Sequence, residues 1–401
     1  MNSVTKSMRL QIAVFGRTNT GKSSLINLLT AQNVSITSPL PGTTTDTVEK
    51  AMEFAPIGPV VLLDTAGLDD STTLGSERIQ RALKVFDRAD VAILLTTPGV
   101  WGDTEELVVQ KARQHKIKLI AAVNQCDLYP GGREFAEQIR ARADQVICCS
   151  CQGESAHEST VKLVREALLK VLPENFMQSP PLLGDLLRPG DLAVMVVPID
   201  LQAPRGRLIL PQVQAIRDAL DHNAMILTMK EDRYAELLPR LSPQPALVVC
   251  DSQVVKMVVD NTPENIPCTT FSVLFSRLKG DTGIFMQGCQ AISSLRDGDC
   301  ILIAEACTHH PTCEDIGRIK IPRLLSKVTG KELQFEFAPG RDFPEDLQKY
   351  ALIVHCGSCM LNRQETLWRI NCALEAKVPI TNYGMTISYC QGVLEKVLVP
   401  Q

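Results

Sequence analysis

The sequence predicts an α/β protein in which a phosphate-loop (P-loop) domain is followed by two further α/β domains. Apolar runs alternate with amphipathic helical patterns along most of the chain, which is typical of proteins built on parallel sheets. A glycine-rich segment, GRTNTGKS at residues 16–23, directly follows the first apolar run and opens a helical pattern. With 401 residues, 45% of them hydrophobic, the chain is long enough for two or three separate cores.

Composition excludes several classes of protein. A net charge of -4 gives no basic surface for a nucleic-acid backbone, so we expect no nucleic-acid partner. Residues 1–6 lack the apolar core of a signal peptide, and no uncharged apolar stretch reaches membrane-spanning length, so we expect a cytoplasmic protein without membrane contact. Fourteen cysteines without a secretion signal then indicate reduced thiols.

The segment GRTNTGKS has the residues of a phosphate-binding loop between a strand and a helix. Its glycines allow backbone N–H groups to surround phosphates, Lys22 reaches the terminal phosphates, and Ser23 places a hydroxyl on magnesium. The predicted nucleotide-binding residues of this loop are Gly16, Asn19, Thr20, Gly21, Lys22, Ser23 and Ser24.

A second phosphate-sensing element, DTAG, follows the apolar run VVLL. Asp64 of this element holds magnesium through water, and Gly67 senses the third phosphate. Between the two elements lies a threonine segment at residues 41–46, in which Thr44 is expected to complete the magnesium shell. We therefore expect Lys22, Thr44, Asp64 and Gly67 to form the catalytic group.

The base-recognition motif predicts GTP and GDP as ligands. GTPases carry Asn-Lys-x-Asp after the next strand, and this chain has Asn124-Gln125-Cys126-Asp127 after LIAAV. Asp127 can accept two hydrogen bonds from the guanine edge, whereas Gln125 replaces the lysine and makes base selectivity less certain. Asn124 and Ser150, the latter in a degenerate CSC loop, complete the predicted base site.

Two residues predict how hydrolysis proceeds. Small GTPases orient the attacking water with a glutamine after DTAG, and this chain has Leu68 there, so intrinsic hydrolysis is expected to be slow. The P-loop resembles that of the tRNA-modification GTPases, whose Gly-Arg-x-Asn-x-Gly-Lys-Ser loop carries a potassium-binding asparagine. That resemblance implies that Asn19 binds potassium and that potassium stimulates hydrolysis.

The middle of the chain shows no catalytic constellation. An amphipathic pattern at residues 154–172 predicts the last helix of the GTPase domain, and the prolines that follow predict a linker. Beyond it, a strand at 192–197, a strand at 207–210 and a helix opened by Pro211 form a unit that serves either as a dimer interface or as a spacer. The predicted boundaries are 1–172 for the GTPase domain, 173–189 for the linker, 190–263 for the middle domain and 264–401 for the last domain.

Metal-type ligands follow two apolar runs of the last domain, CILIA and YALIV. Cys307 and His309 follow the first, and His355, Cys356 and Cys359 follow the second. Because sites in open parallel sheets form beyond the carboxyl ends of strands, we expect these side chains to converge.

The spacing of these ligands favours an iron-sulfur cluster over zinc. Structural zinc usually takes two short paired motifs, whereas here one thiol must meet a distant Cys-x-x-Cys. Three thiolates suit a cubane cluster whose fourth iron is weakly held or open, with His355, His309 or Glu305 as alternative fourth ligands. Cys313 is a weaker candidate. The other cysteines are expected to pack in cores: Cys126, Cys148, Cys149, Cys151, Cys250, Cys268, Cys289, Cys300, Cys372 and Cys390.

Three segments together resemble the HydF family, the GTPases that mature FeFe-hydrogenases: GRTNTGKS, PIDLQAPRGRLILPQVQAIRDALD at 198–221, and the pair CTH with HCGSC. The resemblance implies a homodimer in which the middle domain dimerises and the last domain binds a 4Fe-4S cluster through Cys307, Cys356 and Cys359. It also implies a scaffold or carrier. Such a protein receives a di-iron subcluster precursor made with two radical-SAM maturases and delivers it to the FeFe-hydrogenase apoprotein.

An alternative function is that of a tRNA-modification or ribosome-assembly GTPase with a structural metal site. The GTPase motifs alone would fit it, and GDTG at residues 280–283 matches the Gly-x-x-Gly of some RNA-binding modules. The acidic net charge and the 4% aromatic content oppose RNA recognition.

Overall fold

The computed structural model of the chain divides into two compact units, Met1–Ser179 and Pro180–Gln401. Thr44, Cys307, His309 and Cys313, all named by the sequence analysis, lie outside the described residues. Within the described part, no helix is long and apolar enough to cross a membrane. The described residues are 8–31, 48–69, 79–129, 131–152, 154–173, 181–198, 208–306, 315–340 and 342–398.

The first unit contains a six-stranded sheet with the order β2-β3-β1-β4-β5-β6, in which only the β2–β3 pair is antiparallel. Its strands are β1 (Leu10–Gly16), β2 (Val48–Phe54), β3 (Gly58–Asp64), β4 (Val91–Thr96), β5 (Lys118–Val123) and β6 (Gln145–Cys148). Its helices are α1 (Lys22–Ala31), α2 (Asp103–Gln114), α3 (Gly132–Gln138) and α4 (Glu154–Val171).

Both faces of this sheet are buried, because alternate side chains of each strand enter different cores. In β1, Ile12 and Val14 join the core that contains residues of α1 and α4, whereas Ala13 and Phe15 join the core that contains residues of α2. The parallel strands therefore cannot shift register without exposing apolar side chains. This fixes where their carboxyl ends open, and the loops of the nucleotide motifs start there.

The second unit contains two four-stranded parallel sheets, with the orders β10-β9-β7-β8 and β12-β11-β13-β14. The first comprises β7 (Leu192–Val196), β8 (Met225–Met229), β9 (Leu247–Cys250) and β10 (Cys268–Thr270), and the second comprises β11 (Cys300–Ala304), β12 (Gln334–Ala338), β13 (Leu352–His355) and β14 (Ile380–Asn382). The helices are α5 (Leu210–Asp221), α6 (Tyr234–Leu237), α7 (Val255–Asp260), α8 (Phe271–Lys279), α9 (Thr282–Gln290), α10 (Ile321–Thr329), α11 (Arg363–Glu375), α12 (Tyr383–Cys390) and α13 (Leu394–Val397).

Short helical segments connect these elements. They are Lys84–Asp87, Arg140–Arg142, Gly184–Leu186, Glu231–Arg233, Leu238–Arg240, Ser252–Val254 and Ala291–Ser294 in 3-10 geometry, and Ile316–Lys320 as a π-helix. A P-loop domain followed by two further α/β segments confirms the predicted fold class.

One hydrophobic core joins the two sheets of the second unit. It includes Val194 and Val248 of the first sheet together with Ile301 and Val354 of the second. Each of these side chains is fully buried. The two sheets therefore pack as one body, and side chains of one can reach loops of the other.

The structure differs from the sequence analysis in the middle of the chain. The predicted strand at residues 207–210 is wrong in its described part, because α5 begins at Leu210. Pro211 stands in the first turn, and the side chain of Gln212 accepts a hydrogen bond from Ile209 N–H at 3.1 Å, so the chain is set for a helix start. The middle sheet is completed by β10, which pairs with β9.

Candidate functional site

The predicted P-loop connects β1 to α1. Lys22 is buried, and its Nζ donates hydrogen bonds to the carbonyl oxygens of Gly16 at 3.0 Å and Arg17 at 2.7 Å. Burial lowers the pKa of this ammonium, although Asp64 and Asp69 oppose that shift. The lysine is thus held over the loop by the loop's own backbone.

Ser23, the predicted magnesium ligand within the described residues, lies beside Asp64, which was expected to hold magnesium through water. Ser23 Oγ donates to Asp64 Oδ2 at 3.5 Å. Burial raises the pKa of Asp64, and the nearby Lys22 offsets part of that effect. A hydroxyl and a carboxylate at this spacing are oxygen ligands of the kind that Mg²⁺ prefers.

Asp69, which the sequence analysis did not single out, closes over the P-loop. Its Oδ1 accepts hydrogen bonds from the backbone N–H of Thr18 at 2.7 Å and from the Thr18 hydroxyl at 2.6 Å. Partial burial raises the pKa of Asp69, but the two Thr18 hydrogen bonds outweigh it and the net shift is downward. The carboxylate therefore accepts the hydrogen bond of one P-loop N–H group. Gly67 lies against Thr18, and a side chain at position 67 would collide with the Thr18 hydroxyl.

The base-recognition residues and the P-loop meet through Asn124. Its Nδ2 donates to the Thr20 carbonyl at 2.8 Å, and its Oδ1 accepts from Cys151 N–H at 3.1 Å, so one amide ties the P-loop to the last loop. Gly21 has a φ of 97°, and a side chain there would collide with this amide. A cavity of about 280 Å³ is lined by most of the predicted site residues, namely Asn19, Gly21, Lys22, Ser23, Ser24, Asn124, Asp127 and Ser150.

Two features beside this cavity were missed in the sequence. Arg17 makes a two-pronged ion pair with the buried Glu105 of α2, at 2.8 Å for both nitrogens, which fixes the start of the P-loop. Cys126, Cys148 and Cys149, expected in cores, line a second cavity of about 480 Å³ next to Asp127. An arginine five residues before the phosphate lysine carries no sequence signal for a distant partner.

The thiol motif of the second unit lies at the carboxyl end of β13. In the β11–β13 pair Ala304 stands opposite His355, so both strands end at one level. Cys356 N–H donates to the Ala304 carbonyl at 2.9 Å, and Cys356 Sγ accepts from Ala306 N–H at 3.1 Å. The Cys-x-x-Cys loop is therefore bound to the segment that leads into Cys307.

His355 is buried with both ring nitrogens in contact with protein groups. Its Nδ1 lies 2.8 Å from the Cys356 carbonyl and 3.2 Å from Ser358 Oγ, and its Nε2 lies 3.1 Å from Nη1 of Arg369. Burial and the Arg369 cation lower its pKa to about 3. This geometry makes His355 a support of the loop.

Glu305, the other described candidate for the fourth ligand, is buried in an ion pair. Its two oxygens accept from Arg318 at 3.0 and 3.4 Å. Among the described residues, no group of three or more metal ligands lies together, and these residues include two of the three predicted thiols. Cys356 and Cys359 are both partly buried.

A lysine from α8 reaches this loop and was not anticipated from the sequence. Lys279 is 2% exposed, and its Nζ donates to the carbonyls of Ser358 at 3.0 Å, Cys359 at 3.4 Å and Leu361 at 2.8 Å. Burial lowers the pKa of Lys279 to about 8. For the Cys359 thiol, burial has the opposite effect and raises the pKa, while the positive charge of Lys279 opposes that shift. Two thiols beside a buried cation form a donor set that fits an anionic iron-sulfur cluster.

Curated relatives that match part of this chain are GTPases. GTPase Der from Thermomicrobium roseum is 32% identical over 229 residues, which cover 53% of this chain and 43% of the relative. The tRNA modification GTPase MnmE from a Synechococcus species is 36% identical over 146 residues, 34% of this chain and 30% of the relative. The chain thus spans less than half the length of either relative.

Two solved structures are similar to parts of this chain. Era from Aquifex aeolicus, bound to GDP and aluminium fluoride, has a TM-score of 0.33 at 17% identity and covers 58% of this chain and 98% of its own. The G domain of the T. maritima FeoB iron transporter has a TM-score of 0.29 at 22% identity and covers 40% of this chain and 99% of its own.

Three family models account for most of the chain. Residues 11–125 match the 50S ribosome-binding GTPase family, residues 182–280 the hydrogen maturase F dimerization domain, and residues 283–400 the hydrogen maturase F tetramerization domain. The last two are specific to one family and together span more than half of the chain. The chain is a member of the hydrogen maturase F family, with a P-loop GTPase domain at its start.

Proposed function

We propose that the chain is a GTP-hydrolysing scaffold that receives a di-iron subcluster precursor and transfers it to the FeFe-hydrogenase apoprotein. One observation carries the proposal: Ala306 N–H donates to Cys356 Sγ at 3.1 Å, which holds the Cys-x-x-Cys loop against the residue before Cys307. Membership of the maturase family supports the hydrogenase role. The alternative in tRNA modification or ribosome assembly rests on relatives that match less than half of their own length.

The thiolates of Cys307, Cys356 and Cys359 would hold a 4Fe-4S cluster, which when bound supplies iron to which the di-iron cargo attaches. Ala306 N–H and the Lys279 ammonium are the donors that stabilise negative charge on this loop. Both ring nitrogens of His355 contact protein groups, and Glu305 is paired with Arg318. We therefore propose that the fourth position belongs to His309 or to an exchangeable ligand of the cargo.

The matched dimerization and tetramerization domains indicate that the chain oligomerises. We propose a homodimer as the basic unit, in the cytoplasm, with two radical-SAM maturases and the hydrogenase apoprotein as partners. Neither nucleic acid nor membrane is among the proposed partners.

The GTPase, in this proposal, regulates handover and does not drive the chemistry. Leu68 stands where a glutamine would orient water, and its side chain is buried in the core with Phe15 and Leu63, so it cannot serve that role. Slow hydrolysis would keep the protein in the GTP-bound state long enough to regulate the handover step. Nucleotide state can act only through different contacts with two conformations or two partner complexes.

Potassium is expected to stimulate GTP turnover several-fold over sodium. Asn19 sits in the P-loop in the left-handed backbone region, with φ 65°, and lines the nucleotide cavity. Asn19→Ala should remove the difference between the two salts, measured as phosphate release in potassium or sodium chloride. Asn223→Ala, at another left-handed asparagine, is the matched control and should keep it. Equal turnover of the unmodified protein in both salts would contradict the prediction.

Asp69→Ala is expected to tighten binding of a GTP analogue by about tenfold, because it frees the Thr18 N–H and removes a negative charge next to the phosphates. A fluorescence titration with a labelled non-hydrolysable analogue measures the change. Glu137→Ala, which removes an exposed carboxylate of α3, is the control and should bind like the parent. Unchanged or weaker binding by Asp69→Ala would show that the carboxylate does not compete with phosphate.

Replacing Cys307, Cys356 or Cys359 by serine should lower bound iron by roughly half or more, because a cluster that loses one of three thiolates is poorly held. Iron analysis and EPR of protein reconstituted without oxygen measure the loss. Cys300→Ser, at the opposite end of β11, should load normally. If all three single variants loaded fully, the proposed ligand set would be wrong.

Protein loaded with the di-iron precursor should activate purified apo-hydrogenase without any nucleotide, because the GTPase regulates handover. The Lys22→Ala variant should lose GTP turnover but keep its bound iron. It should still activate the apo-hydrogenase, which is measured as hydrogen evolution. Cys356→Ser is the negative control. An absolute GTP requirement at this last transfer would overturn the regulatory role.

A further inference from the structure

Lys279 ends α8 with its charged group inside the protein. The side chain is 2% exposed, and the three hydrogen bonds of Nζ go to the carbonyls of Ser358, Cys359 and Leu361. An ammonium has three N–H donors and no acceptor, so three carbonyls match its full donor set. The ammonium of Lys279 is thus directed at residues 356–361, which we call the thiol loop.

The charges around Lys279 do not balance within the described residues. Two buried carboxylates of the same unit are already paired, Glu305 with Arg318 at 3.0 Å and Glu365 with Arg369 at 3.6 Å. No carboxylate of the described chain pairs with Lys279, and the ionisable groups that act on it are the thiols of Cys356 and Cys359. Lys279 is thus a buried cation bound by three carbonyls and without an anionic side-chain partner among the described residues, an arrangement that an anion bound at this loop would stabilise.

The loop that Lys279 binds has a conformation that needs support. Ser358 has a φ of 54°, which is uncommon for a residue with a side chain, and it is 5% exposed. Its carbonyl accepts from Lys279, while its hydroxyl contacts His355 Nδ1 at 3.2 Å. The lysine belongs to the region that matches the dimerization domain and the loop to the region that matches the tetramerization domain. The two domains therefore meet at the thiol loop.

We propose that Lys279 is a positioning residue of the thiol site. Its ammonium fixes the thiol loop from the neighbouring domain and supplies the positive charge that balances a bound cluster, which raises the reduction potential of that cluster. The inference rests on the proposed function for the cluster, and its anchoring part concerns the protein alone. Packing between the two domains then tunes the electronic state of the site.

The experiment compares three substitutions in the full chain. Lys279→Met removes the charge and the donors at similar length, Lys279→Arg keeps the charge, and Lys256→Met is the control at an exposed lysine of α7. Hydrogen-deuterium exchange of the protein before iron loading reports on the thiol loop. An EPR-monitored redox titration after reconstitution reports the midpoint potential of the cluster.

Lys279→Met is expected to speed amide exchange in the thiol loop by about tenfold. It should also raise the oxidised-to-reduced ratio of the cluster at fixed potential by about tenfold, which is about 59 mV for one electron. Lys279→Arg should restore most of the potential, and Lys256→Met should change neither measurement. If Lys279→Met fails to fold, Lys279→Gln, which keeps N–H donors without the charge, replaces it in the titration.

An unchanged potential in the uncharged variants would overturn the proposal, since a purely structural lysine would affect stability and loading but not potential. Unchanged exchange in Lys279→Met would overturn the anchoring. If the unmodified protein bound no iron at all, the proposed function would fail instead, and the exchange measurement would still decide whether Lys279 holds the loop.

Discussion

Parallel pairing of β11 with β13 is the constraint on which the candidate metal site depends. With Ala304 opposite His355, both strands release the chain at one edge of the sheet. The Ala306 N–H then reaches Cys356 Sγ. A shift of one residue would turn the buried side chains of either strand to the wrong face, so the hydrophobic core itself keeps the two motifs level. The position of the thiol loop is thus set by apolar packing at a distance from the thiols.

Buried positive charge shapes the thiol loop from two sides. Lys279 binds three loop carbonyls, and Arg369 contacts His355, which in turn contacts the loop at Ser358. A loop held by cations in a low-dielectric setting is costly in the absence of negative charge and gains stability when thiolates form. In the proposed function, a preference for an anionic ligand would therefore reside in residues that do not themselves bind the ligand.

Most residues predicted for the nucleotide site line one cavity, because strand, loop and helix follow one another and Lys22 and Asn124 need only the usual order of a parallel sheet to meet. The thiols at strand ends are also readable from periodicity. The role of Lys279 cannot be predicted from the sequence, because a lysine at the end of a helix ordinarily faces water near the helix dipole. Its role depends on a loop 79 residues away. The strand predicted at 207–210 is absent from its described part, because the contact of Gln212 with Ile209 N–H sets the start of α5 at Leu210.

The contact between Asp69 and Thr18 shows how nucleotide state could be communicated. The Asp69 carboxylate accepts from the Thr18 N–H of the P-loop, and the proposed competition with a triphosphate for this group implies that Asp69 is placed differently in the two nucleotide states. A partner that prefers one placement of Asp69 would bind one nucleotide state better. By linkage the same partner must change the affinity for nucleotide by an equal factor. Regulation of handover therefore requires no energy transfer to the metal site, only a surface near Asp69 that a partner can distinguish.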